Sequence, residues 1–317
     1  MTAITSSTGA ADGPGIPGAG TPGTAGVTGT TDGPVRTGAR RHRLSWSAFG
    51  LWGAIGLIAI YCLAPFYWML VSSLKAPDDI FNNDLLPSSL SLDNYRAVFD
   101  AHNNFGFALR NSFVIAGVTT VVAMVIATFA AYALARLQFR GKFLVLGGVL
   151  AASMFPGVAL LTPLFQLFTR LGWIDQYQAM IVPNISFALP LGVWILTSFF
   201  AEMPWELEQA AKVDGCTSGQ AFRRIIMPLA APGIFTTTIL VFISAWNEFL
   251  IASNVSLSLA SEPVTVAIAK FTGSSQFQQP FGTQMAAGVV VTVPLVVLVL
   301  LFQRRIVAGL TAGGVKG

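Results

Sequence analysis

Acidic and basic side chains are gathered in one stretch of this sequence, between two long apolar runs. Seven charged residues lie between positions 202 and 229: Glu202, Glu206, Glu208, Lys212, Asp214, Arg223 and Arg224. The sequence has no Gly-x-x-x-x-Gly-Lys-Ser/Thr phosphate loop, so the chain does not bind ATP by that route. Cys62 and Cys216 are the two cysteines, and they form no metal-binding spacing. We predict no catalytic residue and no metal site, and we interpret the charged stretch as a surface that meets a partner.

The same stretch carries helix start and stop signals. Gly215 lies where a left-handed helix stop is needed, and glycine takes that conformation at least cost. Thr217 and Gln220 have the spacing of a capping box, which starts a second helix. These signals predict two short helices joined by a tight corner. We expect Pro228 and Pro232 to break the helix before the next apolar run.

The first short helix has small side chains on one face. Ala211 and Gly215 are four residues apart and therefore share a face, with Ala210 beside them. A face without large side chains lets another surface approach the backbone closely. The spacing alone leaves a second interpretation open, in which the helix is amphipathic and lies on its own protein.

The composition indicates a membrane protein. Of the 317 residues, 54% are hydrophobic and only 10% are charged, whereas soluble domains average about 25% charged residues. The net charge of +4 could suggest nucleic acid binding. However, the cations lie between the apolar stretches and do not form one groove-binding patch, so we predict no nucleic acid partner.

Six charge-free stretches are each long enough to contain a spanning helix of about 20 apolar residues. They are residues 44–74, 111–135, 143–169, 176–201, 225–247 and 271–303. The sequence therefore predicts an all-α membrane protein with six transmembrane helices surrounded by membrane lipid. An even number of crossings places both termini on the same side.

The distribution of Lys and Arg predicts which side that is. Thirteen cations fall on the side of the termini and of the charged stretch: Arg36, Arg40, Arg41, Arg43, Arg136, Arg140, Lys142, Lys212, Arg223, Arg224, Arg304, Arg305 and Lys316. Five fall on the other side: Lys75, Arg96, Arg110, Arg170 and Lys270. The positive-inside rule then predicts a multi-pass protein of the cell membrane with cytoplasmic N and C termini.

The two ends of the chain are predicted to differ from the spans. Residues 1–43 are mostly small or polar and cannot bury enough apolar surface to fold, so we predict a disordered cytoplasmic tail there. Residues 44–317 would form the six-helix domain, with the charged loop at 202–229 and a C-terminal cytoplasmic tail at 304–317.

The charged loop resembles the cytoplasmic "EAA" coupling loop of binding-protein-dependent ABC importers. That pattern is Glu-Ala-Ala, three residues, Gly, nine residues, and Ile-x-Leu-Pro. This chain has Gln209-Ala210-Ala211, then Gly215, then Ile225-Ile226-Met227-Pro228. Gln209 replaces the usual Glu and Met227 the usual Leu. Glu208 could supply the missing charge.

Further segments resemble the second permease subunit of carbohydrate ABC importers of the maltose and trehalose type. They are Asn111-Ser112, AAYALARLQFRGK at 130–142, MFPG at 154–157, SAWNEF at 244–249 and GLTAGGVKG at 309–317. FTGSSQF at 271–277 and FQRRIVAGLT at 302–311 are most similar to trehalose importers. The resemblance implies the type I transmembrane fold of ABC importers and a permease subunit that is not itself an enzyme.

The resemblance also implies a set of partners. A second permease would complete the pathway, two ATPase subunits would bind ATP and Mg²⁺, and an extracytoplasmic binding protein would deliver sugar. This chain would hold no cofactor of its own. The ATPase-coupling residues would be Glu208, Gln209, Ala210, Ala211, Asp214, Gly215 and Pro228, and residues 313–317 could reach the ATPases.

Four side chains in the apolar stretches suit a hydroxyl-rich substrate. Asn184 and Asn247 offer amides for hydroxyl groups, and Trp194 and Trp246 offer rings for the faces of sugars. Each of the four could instead serve only helix packing.

Other functions stay open at this point. An ion-gradient-driven secondary transporter would need acids or bases within the membrane, and Glu248 is the one candidate. A channel or assembly subunit would not need the coupling-loop spacing. An ABC importer could also carry another oligosaccharide or a polyol.

Overall fold

The computed structural model describes residues 46–76, 79–80, 82, 84–100, 103–271 and 280–312. The predictions made for residues 1–43, 272–279 and 313–317 lie outside them. The chain divides into two compact units, Met1–Ala54 and Ile55–Gly317. The domain boundary expected at 43/44 stays a prediction. The architecture that follows is that of the second unit.

The described residues form helices and no strand, apart from one isolated bridge between Lys75 and Leu90. The helices are α1 (Trp46–Leu74), α2 (Asp93–Val98), α3 (Phe105–Arg136), α4 (Lys142–Ser153), α5 (Gly157–Leu171), α6 (Gln178–Glu202), α7 (Glu206–Val213), α8 (Ser218–Ala221), α9 (Met227–Trp246), α10 (Ala252–Val255), α11 (Val264–Ala269) and α12 (Phe281–Ala312). A π-helical turn, Phe222–Ile226, joins α8 to α9. The predicted all-α class is confirmed. Helix α12 continues to Ala312, so the predicted tail at 304–317 begins as helix.

Among the described residues, five helical segments are long and apolar enough to cross a membrane. They are Gly50–Leu74, Phe105–Arg136, Gln178–Glu202, Ser218–Trp246 and Phe281–Gln303. The stretch 143–169, predicted as one span, is instead a pair of helices, α4 and α5, bent by 87°. Pro156 explains the break, because a proline disfavours helical backbone in the residue before it and lacks an N–H. Its backbone is extended, with ψ 117°, and α5 begins directly after it.

Contacts at both ends of α3 and α6 show that these two helices run in the same direction. Near their starts, the Tyr177 hydroxyl donates to Asn111 Oδ1 at 2.6 Å. At their ends, Arg136 Nη2 donates to the Met203 carbonyl at 3.0 Å. The connection through α4 and α5 must therefore return the chain across the full length of the bundle. Counted as one crossing, this bent pair brings the total to six.

These contacts also define the two ends of the bundle. We call the end with Arg136 and the charged loop the loop side, and the end with Asn111 and Tyr177 the far side. Helix α9 runs from the loop side to the far side: Phe222, before α9, packs on Tyr132, whereas Trp246, at the end of α9, packs on Phe113.

Small residues allow α3, α6 and α9 to pack closely. A Cβ on Gly192 of α6 would lie 3.1 Å from the Ala127 Cβ of α3. A Cβ on Gly233 of α9 would lie 2.5–2.7 Å from three ring atoms of Phe199 on α6. Close backbone approach through small residues is how helices associate in lipid, where no hydrophobic force drives them together.

We expect Gly233→Ala to destabilise the helix bundle. The added methyl would overlap the Phe199 ring next to its attachment point, and overpacking of this kind costs about 1–3 kcal/mol. Gly117→Ala in α3 is the matched control, because its Cβ would meet nothing within 4 Å. Thermal unfolding of the purified chain in detergent should show a lower midpoint for Gly233→Ala alone; equal midpoints would contradict the packing.

The far side is closed by residues 256–264, which we call the far-side cap. Asn111 Nδ2 donates to the carbonyls of Leu259, at 3.1 Å, and Glu262, at 3.0 Å. Ser112 Oγ accepts the Val264 N–H at 2.9 Å. The Asn-Ser pair that the sequence places at the opening of the second span thus holds the cap.

Asp175 holds the same cap from the connection between α5 and α6. Its Oδ1 accepts the N–H groups of Leu257, at 3.0 Å, and Ser258, at 2.9 Å, together with the Ser261 hydroxyl at 2.9 Å. The Ser258 hydroxyl donates to its Oδ2. Burial acts to raise the pKa of Asp175, but these hydrogen bonds outweigh it and hold the pKa below its usual value.

The contribution of Asp175 to stability should depend on pH. Because its folded pKa lies below the unfolded value of about 3.9, its contribution is fully present above that value and is lost as pH falls through the folded pKa. At neutral pH we expect Asp175→Asn to lower the unfolding midpoint by about 2–4 °C. The difference from the unmodified chain should narrow below about pH 4. A difference that does not change with pH would contradict an ionised Asp175.

Candidate functional site

The charged loop has the corner that its sequence predicts. Helix α7 ends at Val213, and Gly215, two residues later, adopts a left-handed φ of 85°. The Gly215 N–H bonds the Lys212 carbonyl at 3.1 Å, and the Cys216 N–H bonds the Ala211 carbonyl at 2.9 Å. This pair of hydrogen bonds defines the Schellman motif, which ends a helix. The glycine therefore fixes the direction in which the chain leaves α7.

The start of the second helix is also as predicted, whereas its continuation is not. Thr217 Oγ1 accepts the Gln220 N–H, and Gln220 Oε1 accepts the Thr217 N–H, which completes the capping box. The predicted break at Pro228 and Pro232 is wrong, because the helix runs on through the π turn into α9. The Met227 N–H bonds the Phe222 carbonyl, five residues back. The π turn shifts the register of the backbone hydrogen bonds immediately before Pro228, which has no N–H to donate.

Helix α7 has an inward and an outward face. Glu208 and Ala211 are buried and lie on one side of the helix, three residues apart. Ala211 was expected on an exposed small-residue face with Ala210 and Gly215, and this expectation is wrong, because Ala211 faces its own protein. The predicted coupling residues Gln209, Ala210, Asp214, Gly215 and Pro228 are exposed, and so is Val213, 87% of whose surface is accessible. The outward face therefore offers one apolar side chain among small and polar ones.

The buried position of Glu208 corrects one expectation. We expected this acid to replace the missing Glu at position 209 on the surface, but only 5% of Glu208 is exposed. Its Oε1 accepts from the Tyr132 hydroxyl at 3.2 Å and lies 3.2 Å from Lys212 Nζ. Glu208 therefore contacts its own subunit, and the acids left on the surface of this helix and its corner are Glu206 and Asp214.

Sequence reasoning missed three residues behind α7: Tyr132 and Arg136 of α3, and Trp205. The Arg136 guanidinium lies over the Trp205 ring, 4.8 Å from its centroid. Tyr132 and Arg136 are four residues apart and share a face of α3. The sequence shows that Arg136 is a basic residue at the end of an apolar helix. However, its partners Met203 and Trp205 lie at least 67 residues away along the chain.

The four substrate-pathway residues separate into two groups. Asn184 and Trp246 are buried and line one internal cavity near the far side, together with Ser112, Met180 and Glu248. This cavity has a volume of about 10 Å³, which is room for about one water molecule and far too little for a sugar ring. By contrast, Trp194 is 51% exposed and Asn247 is exposed at the end of α9.

The polar groups around this cavity are mainly donors. Asn184 Nδ2 and Trp246 Nε1 have no hydrogen-bond partner among the described residues. Burial raises the pKa of the Glu248 carboxyl, although the N–H groups of Ile251 and Ala252, at 2.6 and 3.1 Å, oppose that rise. The side chains of Asn184, Trp246 and Glu248 therefore line one small polar cavity.

Comparison with known proteins identifies the family. Residues 123–311 match the family described as "Binding-protein-dependent transport system inner membrane component". The chain belongs to this family. The matched range runs from the middle of α3 to near the end of α12 and includes the whole charged loop.

Relatives of known function cover most of the chain. The trehalose transport system permease protein SugB of Mycobacterium tuberculosis is 49% identical over 84% of this chain and 97% of its own length. The trehalose/maltose transport system permease protein MalG of Thermococcus litoralis is 42% identical over 84% and 95%. The sulfoquinovosyl glycerol transport system permease protein SmoH of Agrobacterium fabrum is 38% identical over 83% and 92%.

Solved structures support the predicted fold. A chain of a bacterial ABC transporter that imports the acidic polysaccharide alginate matches with a TM-score of 0.69 and 21% identity, over 82% of this chain and 98% of that one. Its complex with an alginate-bound periplasmic protein matches with a TM-score of 0.62 and 15% identity, over 81% and 92%. This transport component therefore has the type I ABC importer fold and is a non-catalytic, multi-pass membrane subunit.

The cavity geometry predicts different effects for two substitutions at Asn184. Asn184→Leu removes the unpartnered amide and fills space, so the unfolding midpoint should stay within about 2 °C or rise. Asn184→Ala enlarges the cavity and should lower the midpoint. Neither variant should change the KM for uptake. Trp194→Ala, which removes an exposed ring of the pathway set, is the variant for comparison. A raised KM in both Asn184 variants would restore Asn184 to the substrate pathway.

Proposed function

We propose that this chain is the permease subunit of an ATP-driven importer of trehalose or a related disaccharide. It forms half of the translocation pathway and receives movement through the coupling loop at 202–229. The observation that carries the proposal is the outward face of α7: exposed, with Val213 among small and polar side chains, and followed by a corner that Gly215 fixes. A loop of this form is suited to seating in a cleft of another subunit.

The substrate class is supported by the relatives. Both relatives above 40% identity carry trehalose in their names, and the third transports a glycoside. Diacetylchitobiose permeases of Streptomyces coelicolor match at only 30%. Another oligosaccharide or a polyol is the second candidate within the same mechanism. Trp194 and Asn247 are the exposed groups of the pathway set and are its remaining sugar-facing candidates.

The proposed assembly supplies what this chain lacks. Two ATPase subunits would bind ATP and Mg²⁺ beneath the coupling loop, a second permease would complete the pathway, and an extracytoplasmic sugar-binding protein would dock on the far side. The cation bias of thirteen to five supports a cytoplasmic loop side, with both termini on that side. The outward surfaces of α1 and α12 are largely apolar and suit lipid or the partner permease.

An ion-gradient-driven transporter is less well supported by the described residues. Such a protein needs ionisable groups near the centre of the membrane. Glu248 lies two residues beyond the end of α9, on the far side, and faces two N–H donors. Uptake into reconstituted vesicles that depends on ATP, and not on a proton or sodium gradient, would distinguish the two mechanisms.

A bulky residue at Gly215 should uncouple transport from ATP hydrolysis. The described chain leaves open space around this Cα, so a side chain there would project toward the partner. We expect Gly215→Leu to lower trehalose uptake per ATP hydrolysed at least about tenfold in vesicles containing the full complex, through steric exclusion and left-handed backbone strain.

Gly215→Asn is the control for backbone strain. Asparagine tolerates the left-handed conformation better than leucine does, so its coupling should lie between that of the unmodified chain and that of Gly215→Leu. Normal coupling in Gly215→Leu would overturn the proposed role of the loop. Uptake of a polyol or a longer oligosaccharide, with no uptake of trehalose or maltose, would overturn the proposed substrate class while leaving the mechanism in place.

A further inference from the structure

Two buried charges lie behind the coupling helix, where charge is costly unless it is well paired. Glu208 of α7 is 5% exposed and Arg136 of α3 is 4% exposed. They come from elements that are far apart in sequence and meet on the loop side. Together with Tyr132 and Trp205 they form a group that we call the α3–α7 cluster.

Each contact in the α3–α7 cluster joins α3 to the coupling loop. The Tyr132 hydroxyl donates to Glu208 Oε1 at 3.2 Å. One turn further along α3, Arg136 donates to the Met203 carbonyl at 3.0 Å and stacks on Trp205. The Tyr132 ring also packs against Phe222 of the π turn, with ring centroids 4.5 Å apart. The end of α3 is therefore attached on both sides of α7.

The pairing within this cluster is incomplete. Arg136 Nε and Nη1 and Glu208 Oε2 are buried without a hydrogen-bond partner among the described residues. Leaving buried donors and acceptors unpaired costs free energy. A site concerned only with stability gains little from such an arrangement, and this points to a role in positioning α7.

Helix α3 is well built to transmit movement. Its 32 residues span about 48 Å at 1.5 Å per residue. It contains no proline, whereas α1, α5, α6, α9 and α12 each contain at least one inside the helix. Prolines are the usual sites of sharp bends in helices. Near its other end, Asn111 and Ser112 of α3 hold the far-side cap.

We propose that α3 carries movement directly between the coupling loop and the far-side cap. Tyr132, Arg136 and Glu208 are the positioning residues that attach α3 to α7. This inference rests on the proposed function and adds a route to it. The route through α9 contains the π turn and Pro228 and Pro232, all points where a helix can bend; the route through α3 contains none of these.

The first test removes single contacts without changing shape. Tyr132→Phe deletes the hydroxyl that bonds Glu208, and Glu208→Gln removes the charge while keeping the size. In vesicles with the full complex and the sugar-binding protein, we expect each variant to lower uptake per ATP hydrolysed about three- to tenfold. Glu208→Gln keeps an oxygen that can accept from Tyr132, so its effect should lie at the lower end of this range. The double variant should be no worse than Tyr132→Phe alone, because that change already removes the hydrogen bond. Tyr67→Phe, which loses a hydroxyl bond to Leu85 O, is the matched control and should couple normally.

The second test separates positioning from general stability. Arg136→Lys keeps a donor for the Met203 carbonyl and should retain part of the coupling, whereas Arg136→Met should lose it. At the other end of α3, Asn111→Ala should reduce the stimulation of ATP hydrolysis by the loaded binding protein by a similar factor. The thermal unfolding midpoint of the assembled complex is measured for every variant.

The outcomes distinguish this inference from the proposed function. If Gly215→Leu uncouples transport but Tyr132→Phe and Glu208→Gln couple normally, the α3 route is wrong and the proposed function stands. If uptake and ATP hydrolysis fall in proportion as the midpoint falls, the cluster is structural only and the inference is overturned. If Gly215→Leu itself couples normally, the proposed function fails.

Discussion

The parallel arrangement of α3 and α6 is the constraint on which this structure depends. Two hydrogen bonds fix it, one from Tyr177 to Asn111 and one from Arg136 to the Met203 carbonyl. Two neighbouring spans that run in the same direction require a further crossing between them, which the bent pair α4–α5 supplies. The count of six crossings, and the position of the coupling loop on the side of Arg136, both follow from this arrangement.

Much of the coupling loop could be predicted because its signals are local. Gly215 and the Thr217–Gln220 capping box act within one or two helical turns, so their chemistry is readable from neighbouring residues. Hydropathy likewise revealed the spans, because a helix needs about 20 apolar residues to cross lipid. It did not reveal the turn at Pro156, since α4 and α5 are apolar on both sides of the break and hydropathy carries no information about backbone direction.

The remaining differences from expectation concern which neighbour a side chain faces. Glu208 was expected at the surface, but its position one turn from Ala211 places it on the inward face beneath Tyr132. Asn184 and Trp246 have the chemistry of sugar contacts, yet they meet across a cavity that holds about one water. Both outcomes depend on contacts between residues that are distant in the sequence. The sequence alone does not show which of these residues lie close together.

The Schellman corner after α7 has a consequence for recognition of this subunit. Its four successive amide protons, from Asp214 to Thr217, are all engaged within the loop, by the carbonyls of Ala210, Lys212 and Ala211 and by the Gln220 side chain. Glycine-containing turns beside a helix start often bind phosphate, through backbone N–H groups that have no other partner. None of these four amides is free to bind a phosphate group. The ATPase subunit of the proposed assembly would therefore recognise this corner by its shape and its side chains.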